Sequence, residues 1–191
     1  MKIIAPISSI KELDMLSSLG ADELYCGFNT EIWQKNFDKS RINWINRREP
    51  GSASINSKKE FYDIVNIAHK NNISVALTLN APFYTEKGIS YLLALVEKLI
   101  KETHIDALIV SDLHLIFSLH EEKFPVKLHL SSLGSCFNSQ TAAFYGELGI
   151  KRIILPRQLT FTEIKELIEN ADSEMEFEVF AVNDGCYYEE G

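Results

Sequence analysis

The feature that most constrains the fold is one unit that repeats along the chain: a short apolar strand, a polar turn and an amphipathic helix. Strands that are separated by helices run parallel and are joined by right-handed crossovers. The repeat therefore predicts a parallel α/β fold. Seven strand candidates follow this order, at residues 2–5, 23–26, 74–79, 107–110, 126–130, 152–155 and 176–181.

The helices between these strands carry clear start and stop signals. Ser9, Ser57 and Thr160 each precede a glutamate by three residues, which is the spacing of a capping box. Gly20 and Gly149 stand at helix-to-strand junctions, where a left-handed residue commonly ends a helix. These signals place helix boundaries between the strands and support the repeating unit.

Repetition of one unit with short strands favours a TIM-like (β/α) barrel in a single domain spanning residues 1–191. The barrel is predicted to be incomplete, with about seven parallel strands and the last unit missing. A doubly wound sheet stays open as the alternative. The segment "APISSIKE" after the first strand lacks the glycines of a dinucleotide-binding turn.

One connection is longer than the others. Residues 28–57 show no clear helix, and ordinary connections are much shorter, so we expect a functional cover or a flexible insertion here. Its aromatic residues are expected to pack the segment down rather than to bind a ligand. These residues are Phe28, Trp33, Phe37 and Trp44.

Composition narrows the class of protein. A hydrophobic content of 46% with 24% charged residues is ordinary for a globular protein. The formal charge of −8 argues against a nucleic-acid backbone as the main partner, although folding could still build a local basic patch. No apolar run approaches the roughly 20 residues that span a bilayer, so no membrane partner is expected and a cytoplasmic location is the default.

Polar side chains follow the predicted strands, and in a parallel barrel the strand carboxyl ends form the reactive face. Asn80, Asp112, Ser131 and Arg157 all occupy such positions. The fork of the Arg157 guanidinium suits two-point contact with a carboxylate or phosphate. A helix cap or a salt bridge is the alternative role for this arginine.

Conventional catalytic motifs are weak in this sequence. Asp112, His129 and Ser131 could form a hydrolytic triad, but nothing presents the serine on a strained turn or supplies an oxyanion hole. There is no His-Glu-x-x-His zinc helix and no Cys-x-x-Cys pair. The catalytic residues are therefore left open.

The three cysteines do not form a metal site by themselves. In a barrel, Cys26 beside the second strand and Cys136 beyond the fifth would lie on nearly opposite sides. An iron–sulfur cluster needs four thiolates or close substitutes. We interpret Cys26 and Cys136 as small buried hydrophobic residues, whereas Cys186 follows the last strand and stands apart.

The ordered segments of the chain resemble the collagenase-like peptidase family of unassigned catalytic type. The C-terminal pattern Glu178-x-Phe180, then Cys186 and Gly191, is similar to the family segment Glu-x-Phe…Cys-x4-Gly-x-Cys. Asn183 to Gly185 and Gln158 depart from the usual family residues. Earlier segments match in order: "KIIAPISSIKELDMLSSLGADELYCGF", "VALTLN", "DALIVSD", "LHLSS" followed by Asn138, and "RIILPRQLTFTEI".

The resemblance implies a peptidase-type hydrolase with its site at the carboxyl-terminal rim of the barrel. Some relatives resemble oxygen-independent, iron–sulfur-dependent hydroxylases of RNA bases or quinone precursors, which is the alternative function. A non-catalytic partner subunit is a third possibility. The candidate substrate-binding residues are Asn80, Asp112, Ser131, Asn138, Arg157 and Glu178.

The resemblance also bears on the cofactor and on partners. Cys186 would be one ligand of an iron–sulfur set that is incomplete in this chain, which resembles the N-terminal part of a longer family architecture. We therefore expect the isolated chain to be inactive. The open barrel edge predicts a partner or a second copy that covers it.

Overall fold

The computed structural model describes residues 1–37, 44–47 and 53–182. Its centre is a curved sheet of seven parallel strands in the order β1-β2-β4-β5-β6-β7-β8, and the two-residue β3 pairs with β2 outside that path. The strands are β1 Ile4–Pro6, β2 Glu23–Phe28, β3 Ser54–Ile55, β4 Ser74–Leu79, β5 Ala107–Val110, β6 Lys127–Leu130, β7 Ile150–Ile154 and β8 Glu176–Glu178.

Helices connect the strands in alternation, as the repeating unit predicts. They are α1 Leu13–Ser18, α2 Glu31–Asn36, α3 Lys58–Lys70, α4 Glu86–Thr103, α5 Leu113–Glu122, α6 Ser139–Glu147 and α7 Phe161–Glu169, with short 3-10 turns at Ile10–Glu12 and Ser132–Gly134. Every strand pair is parallel. The TIM-like open barrel of seven strands is therefore confirmed, and the doubly wound alternative is not adopted.

The predicted strand boundaries shift at some ends. The last strand was predicted to reach residue 181 but ends at Glu178, because only Arg152, Ile153 and Ile154 pair with it. Leu128 of β6 pairs with Ile150 of β7, but the next residue of β6 pairs with Arg152. One residue of β7 is therefore left over as a bulge. This bulge decides which β7 side chains face the barrel interior.

The sheet separates two apolar layers. Alternate residues of β2, such as Leu24, Cys26 and Phe28, pack in the main core between the sheet and the helices. The opposite face points into the barrel, where Ala76, Ala107, Ile109 and Ile154 form a smaller cluster with Tyr25 against it. Because strand side chains alternate, the same alternation directs Glu23, Tyr25 and Gly27 into the interior.

The prediction of no helix within residues 28–57 is wrong. Thr30 caps the six-residue helix α2, where its hydroxyl accepts a hydrogen bond from the Trp33 amide. Trp33 and Phe37 are buried and stack with ring centroids 4.4 Å apart, and Phe28 is buried against Phe61. The expected packing role of these aromatics is confirmed, because their burial anchors the connection to the helix layer.

The predicted helix signals are confirmed with one difference. Ser9 and Thr160 form reciprocal capping boxes. Ser57 caps α3, but the carboxylate of Glu60 accepts instead from the Ile10 amide, which ties α3 to the first turn of the chain. Gly20 and Gly149 have φ of +86° and +85°, a conformation that favours glycine.

Candidate functional site

The carboxyl ends of the strands bring Asn80 and Ser131 together. Asn80 follows β4 and Ser131 follows β6, and the Asn80 Nδ2 lies 3.2 Å from the Ser131 Oγ. Asn80 Oδ1 also accepts a hydrogen bond of 3.1 Å from the Arg47 backbone amide. Two of the predicted substrate-binding residues thus share one point of the rim with a segment of the long connection.

We call residues 44–47 the strap, and hydrogen bonds hold this segment at the rim. The Tyr84 hydroxyl donates to the Ile45 carbonyl at 2.6 Å and accepts from the Ala81 amide at 3.1 Å. Burial raises the pKa of Tyr84 well above its ordinary value, so the hydroxyl stays protonated. Two side chains that are close in sequence, Asn80 and Tyr84, therefore hold the strap.

Close packing joins the strap to β2. A Cβ on Gly27 would stand 2.4 Å from the Ser54 Oγ and 2.8 Å from the Asn46 Nδ2, so only glycine fits. Asn46 and Ser54 are buried and lie within hydrogen-bonding range of one another at 3.4 Å. This contact brings an amide side chain to the end of β2.

Two other predicted site residues cap helices. The Asp112 carboxylate accepts from the Leu115 amide at 2.7 Å, at the start of α5. Asn138 Oδ1 accepts from the amide and the hydroxyl of Thr141 at 2.9 and 3.1 Å, at the start of α6. Both residues follow strands at the rim, but their polar atoms serve the helix ends.

Arg157 follows β7 and is exposed at the same end of the barrel. Its guanidinium carbon lies 5.7 Å from the centre of the Phe180 ring, within the range of a cation–π contact. This position is compatible with a phosphate or carboxylate at the mouth. The role predicted for Arg157 stays a prediction.

An ion network fills the barrel interior below the rim. Arg152 binds Glu23 across the barrel with N–O distances of 2.6 and 3.0 Å, and it binds Glu176 at 2.6 and 2.8 Å. Glu178 lies 3.6 Å from the same guanidinium, and Lys2 contacts Glu23 at 2.7 Å. Two cations thus face three carboxylates; Arg152 and Glu23 are buried, whereas Lys2 and Glu176 are more than half exposed.

Burial and pairing shift the titration of this network. Burial opposes ionisation of Glu23, but hydrogen bonds from Arg152 and Lys2 prevail and lower its pKa to about 2. Burial raises the pKa of Glu178 above its ordinary value, and Glu23 adds to that effect. Burial, together with the nearby charge of Arg152, lowers the pKa of His129 to about 4, so this imidazole is neutral near pH 7.

The hydrolytic triad considered from the sequence is not assembled. Asp112 caps α5, the Ser131 hydroxyl lies between Asn80 and the Leu133 amide, and His129 faces the interior beside Arg152. Within the described ranges no hydrogen bond joins the imidazole to either of the other two side chains. Without such a bond the imidazole is not positioned to take the serine proton.

The described cysteines do not fit a metal cluster. Cys26 and Cys136 are 0% and 1% exposed and unbonded to one another, and burial raises the pKa of Cys136 to about 11. No group of three or more His, Cys, Asp or Glu side chains in the described part of the chain could hold a metal ion. Cys186, the predicted cluster ligand, lies outside the described residues, as do Asn183 to Gly185 and Gly191.

A cavity of about 400 Å³ lies among the helices on the outer side of the sheet, next to the end of β2. It is bounded by α2, α3 and α4, with Tyr62, Tyr91 and Leu95 among its lining residues. The Tyr91 hydroxyl bonds the Thr30 hydroxyl at 2.6 Å, so part of this wall is already engaged in structure. The cavity therefore borders the helix layer rather than the barrel interior.

Several polar residues of the site were missed from the sequence. Glu23 and Arg152 sit within apolar strands, and that position was an available signal for interior charges. Asn29 directly follows β2 and is 4% exposed, yet it was not singled out. Asn46 and Tyr84 lie on connections, and nothing in their local sequence marks them as rim residues.

An open parallel barrel with a polar rim at the carboxyl ends of its strands defines a TIM-like α/β protein. Residues 8–191 match the family described as Peptidase family U32. The chain belongs to that family, which confirms the resemblance found in the sequence.

Its relatives carry two kinds of name. An uncharacterized protease of Methanocaldococcus jannaschii is 30% identical over 89% of this chain and 37% of its own length. The tRNA hydroxylation protein P of Escherichia coli is 28% identical over 94% of this chain and 35% of its own length. The chain thus spans about a third of the length of these curated relatives.

A solved structure supports the fold independently. A U32 peptidase superposes with a TM-score of 0.69 at 16% identity, over 94% of this chain and 68% of the other. At that identity the likeness shows the fold alone. Among the helices that the structure describes, none is long and apolar enough to cross a membrane.

Proposed function

We propose that this chain is the substrate-binding barrel of an RNA-hydroxylation protein within family U32. The observation that carries the proposal is its similarity to a tRNA hydroxylation protein across 94% of the chain. The rim suits this role, because its amide and hydroxyl groups can form hydrogen bonds with a base. Such binding does not require a nucleophilic side chain. Asn80, Ser131 and Arg157 are proposed to contact the substrate there.

The net charge limits how RNA would be held. A formal charge of −8 disfavours extended contact with the backbone, so binding is proposed to depend on a base at the rim and few phosphates. Arg47 and Arg157 are exposed cations near the strand carboxyl ends and could meet those phosphates. Binding should therefore weaken only modestly as salt rises, with a log–log slope of roughly −1.4 for two single-strand contacts.

Fluorescence anisotropy with a labelled, unmodified tRNA transcript tests this function. The chain should bind saturably, and Arg157→Ala should weaken the affinity. Lys59→Ala, which removes a cation on the outer helix α3, is the matched control and should bind like the wild type. Absence of saturable binding at low salt would reject the RNA-binding function.

The iron–sulfur chemistry implied by the resemblance depends on residues outside the described ranges. Cys186 is proposed to contribute one ligand, with the others supplied from elsewhere in a longer form. Anaerobic reconstitution of a longer family protein with iron and sulfide should give visible absorption that a Cys186→Ser change reduces. An unchanged spectrum in that variant would remove Cys186 from the cluster.

Peptide hydrolysis is the second candidate function, because the relative at 30% identity is named a protease. A peptide backbone could also bind along the strand ends through Asn80 and Ser131. Gelatin or peptide cleavage that Ser131→Ala abolishes would support this alternative. Cleavage that persists in the variant would assign the activity to a contaminant or to another residue.

We also propose that a second copy covers the open edges of β1 and β8. Val179 and Phe180 are exposed just past β8. An open sheet edge favours association, because its backbone groups can pair with another chain. Light scattering after size exclusion should give twice the 21.7 kDa chain mass. A stable monomer would contradict the proposal.

A further inference from the structure

One side chain at the rim lacks a hydrogen-bonding partner. The Asn29 side chain is almost completely buried, with a relative exposure of 4%, and its Oδ1 makes no hydrogen bond. It is the one such buried side-chain atom found within residues 1–37, 44–47 and 53–182. The backbone amide of Asn29 is satisfied by the Ile55 carbonyl at 2.9 Å, so the unmet group is the carboxamide.

Strand alternation gives the direction of this side chain. Leu24, Cys26 and Phe28 pack toward the helices, whereas Glu23 reaches Arg152 across the barrel interior. Asn29 continues the interior series 23, 25, 27 immediately after β2 ends. The carboxamide therefore faces the mouth of the barrel rather than the helix layer.

Two further carboxamides lie at the same mouth. Asn46 packs against Gly27, directly before Asn29 in the interior series, and Asn80 anchors the strap through the Arg47 amide. We call Asn29, Asn46 and Asn80 the carboxamide rim. Asn46 and Asn80 have hydrogen-bonding partners in the structure, whereas the buried Oδ1 of Asn29 has none.

A buried polar group without a partner destabilises a fold, and an apolar side chain of similar size would avoid that penalty. Such groups are rare in native proteins and concentrate where function requires them. A ligand that supplies the missing partner would explain why an amide stands at this position. Asn29 is therefore the residue of the rim that most directly indicates a ligand.

We propose that the carboxamide rim receives the hydrogen-bonding edge of an RNA base, with Asn29 in direct contact with that base. The inference rests on the proposed RNA function and adds the substrate group and the residue that reads it. A carboxamide presents a donor and an acceptor side by side, which complements the paired donor and acceptor on a base edge. Asn80 adds a second carboxamide to the contact, and Asn46 positions the surrounding wall.

The test uses the full 191-residue chain with two probes, an unmodified tRNA transcript and the four ribonucleoside 5′-monophosphates. Asn29→Leu removes both amide atoms, and Asn29→Asp keeps an acceptor but loses the donor. Asn66→Ala, on the exposed face of α3, is the control. Thermal unfolding of each variant shows whether it folds.

Asn29→Leu should fold with an unfolding midpoint at or above that of the wild type, because an unsatisfied amide is gone. Its tRNA affinity should fall about tenfold, which is the scale of one good base contact. Asn29→Asp should also lose affinity, and Asn66→Ala should not. In the wild type, one monophosphate should shift the side-chain NH₂ signal of Asn29, identified by its absence in the variants.

The outcomes separate the two proposals. Wild-type binding of tRNA with unchanged affinity in both Asn29 variants would overturn the inference and leave the RNA function intact. A shift of the Asn29 signal by a monophosphate without any tRNA binding would keep the base contact and reject the tRNA function. An equal loss of tRNA affinity in Asn66→Ala would also overturn the inference, because the effect would not be specific to the rim.

Discussion

Arg152 of β7 and Glu23 of β2 form a two-point ion pair across the barrel interior, with N–O distances of 2.6 and 3.0 Å. The two residues are 129 positions apart in the chain, and the strands that carry them are not neighbours in the sheet. The pair therefore ties the first half of the open barrel to its last strands.

Loss of the Arg152 guanidinium should strongly destabilise the fold. Arg152→Met leaves Glu23 buried without its main partner, and breaking a buried pair in this way costs about 3–5 kcal/mol. Urea unfolding followed by circular dichroism measures the loss. Lys101→Met, which removes an exposed pair with Glu97, should cost no more than about 1 kcal/mol and serves as the control. Equal losses of unfolding free energy in the two variants would show that the interior pair stabilises the fold no more than an exposed pair does.

Stability should fall with acid in two windows. The pKa of His129 is lowered from 6.5 to about 4, so the unfolded chain binds more protons and stability declines as pH falls through that window. The lowered pKa of Glu23, from 4.5 to about 2, extends the decline below pH 4.5. The raised pKa of Glu178 acts with the opposite sign above pH 4.5, where it offsets part of the decline due to His129.

Unfolding free energy measured at several pH values isolates the histidine. His129→Gln should flatten the slope between pH 6.5 and 4.5, to which one proton contributes up to about 1.4 kcal/mol per pH unit. His114→Gln, at an exposed position of α5, should leave the slope as it is in the wild type. A slope that persists unchanged in His129→Gln would assign the acid sensitivity to other groups.

The strap should loosen when the Tyr84 hydroxyl is removed. Tyr84→Phe leaves the Ile45 carbonyl and the Ala81 amide without their partner, at a cost of about 1–3 kcal/mol. Limited trypsin digestion with mass spectrometry should show faster cleavage after Arg47. Tyr62→Phe removes a hydroxyl bonded to the exposed Glu102 and should leave that rate unchanged. Equal cleavage in both variants would mean that Tyr84 does not hold the strap.

Gly27 should tolerate no side chain. Gly27→Ala places a Cβ 2.4 Å from the Ser54 Oγ, so the strap or β3 must shift, at a cost of about 1–3 kcal/mol. Gly146→Ala in α6 meets its nearest atom, the Met175 Cε, at 3.4 Å, and a helical alanine is favoured over glycine. Chemical denaturation should therefore give a lower free energy of unfolding for Gly27→Ala than for Gly146→Ala. An unchanged free energy of unfolding in Gly27→Ala would show that the rim is not closely packed there.

The repeating strands and helices could be predicted because each unit carries its own apolar run and capping residues. The two-residue β3 could not, since it exists only because Ser54 and Ile55 meet the end of β2. Helix α2 was missed because six residues show little periodicity, although Thr30 and Glu31 offered a start signal. Local sequence thus determines long elements better than short ones.

The candidate site was predicted in outline but not in its chemistry. Strand ends correctly located Asn80 and Ser131 at one rim, because parallel strands place their carboxyl ends together. The interior position of the Arg152 side chain depends on the neighbouring bulge, which the sequence does not indicate. Asn29 could be recognised only from its burial and its missing partner, both of which are properties of the folded chain.

Ultraviolet crosslinking of an unmodified tRNA to the chain, read by mass spectrometry, shows whether RNA binds at the barrel mouth. Crosslinked bases are expected on peptides from the strand carboxyl ends, namely those that contain Asn29, the strap, Asn80 or Ser131. Crosslinks confined to the outer faces of α3 and α4, or no crosslinks at all, would contradict this expectation.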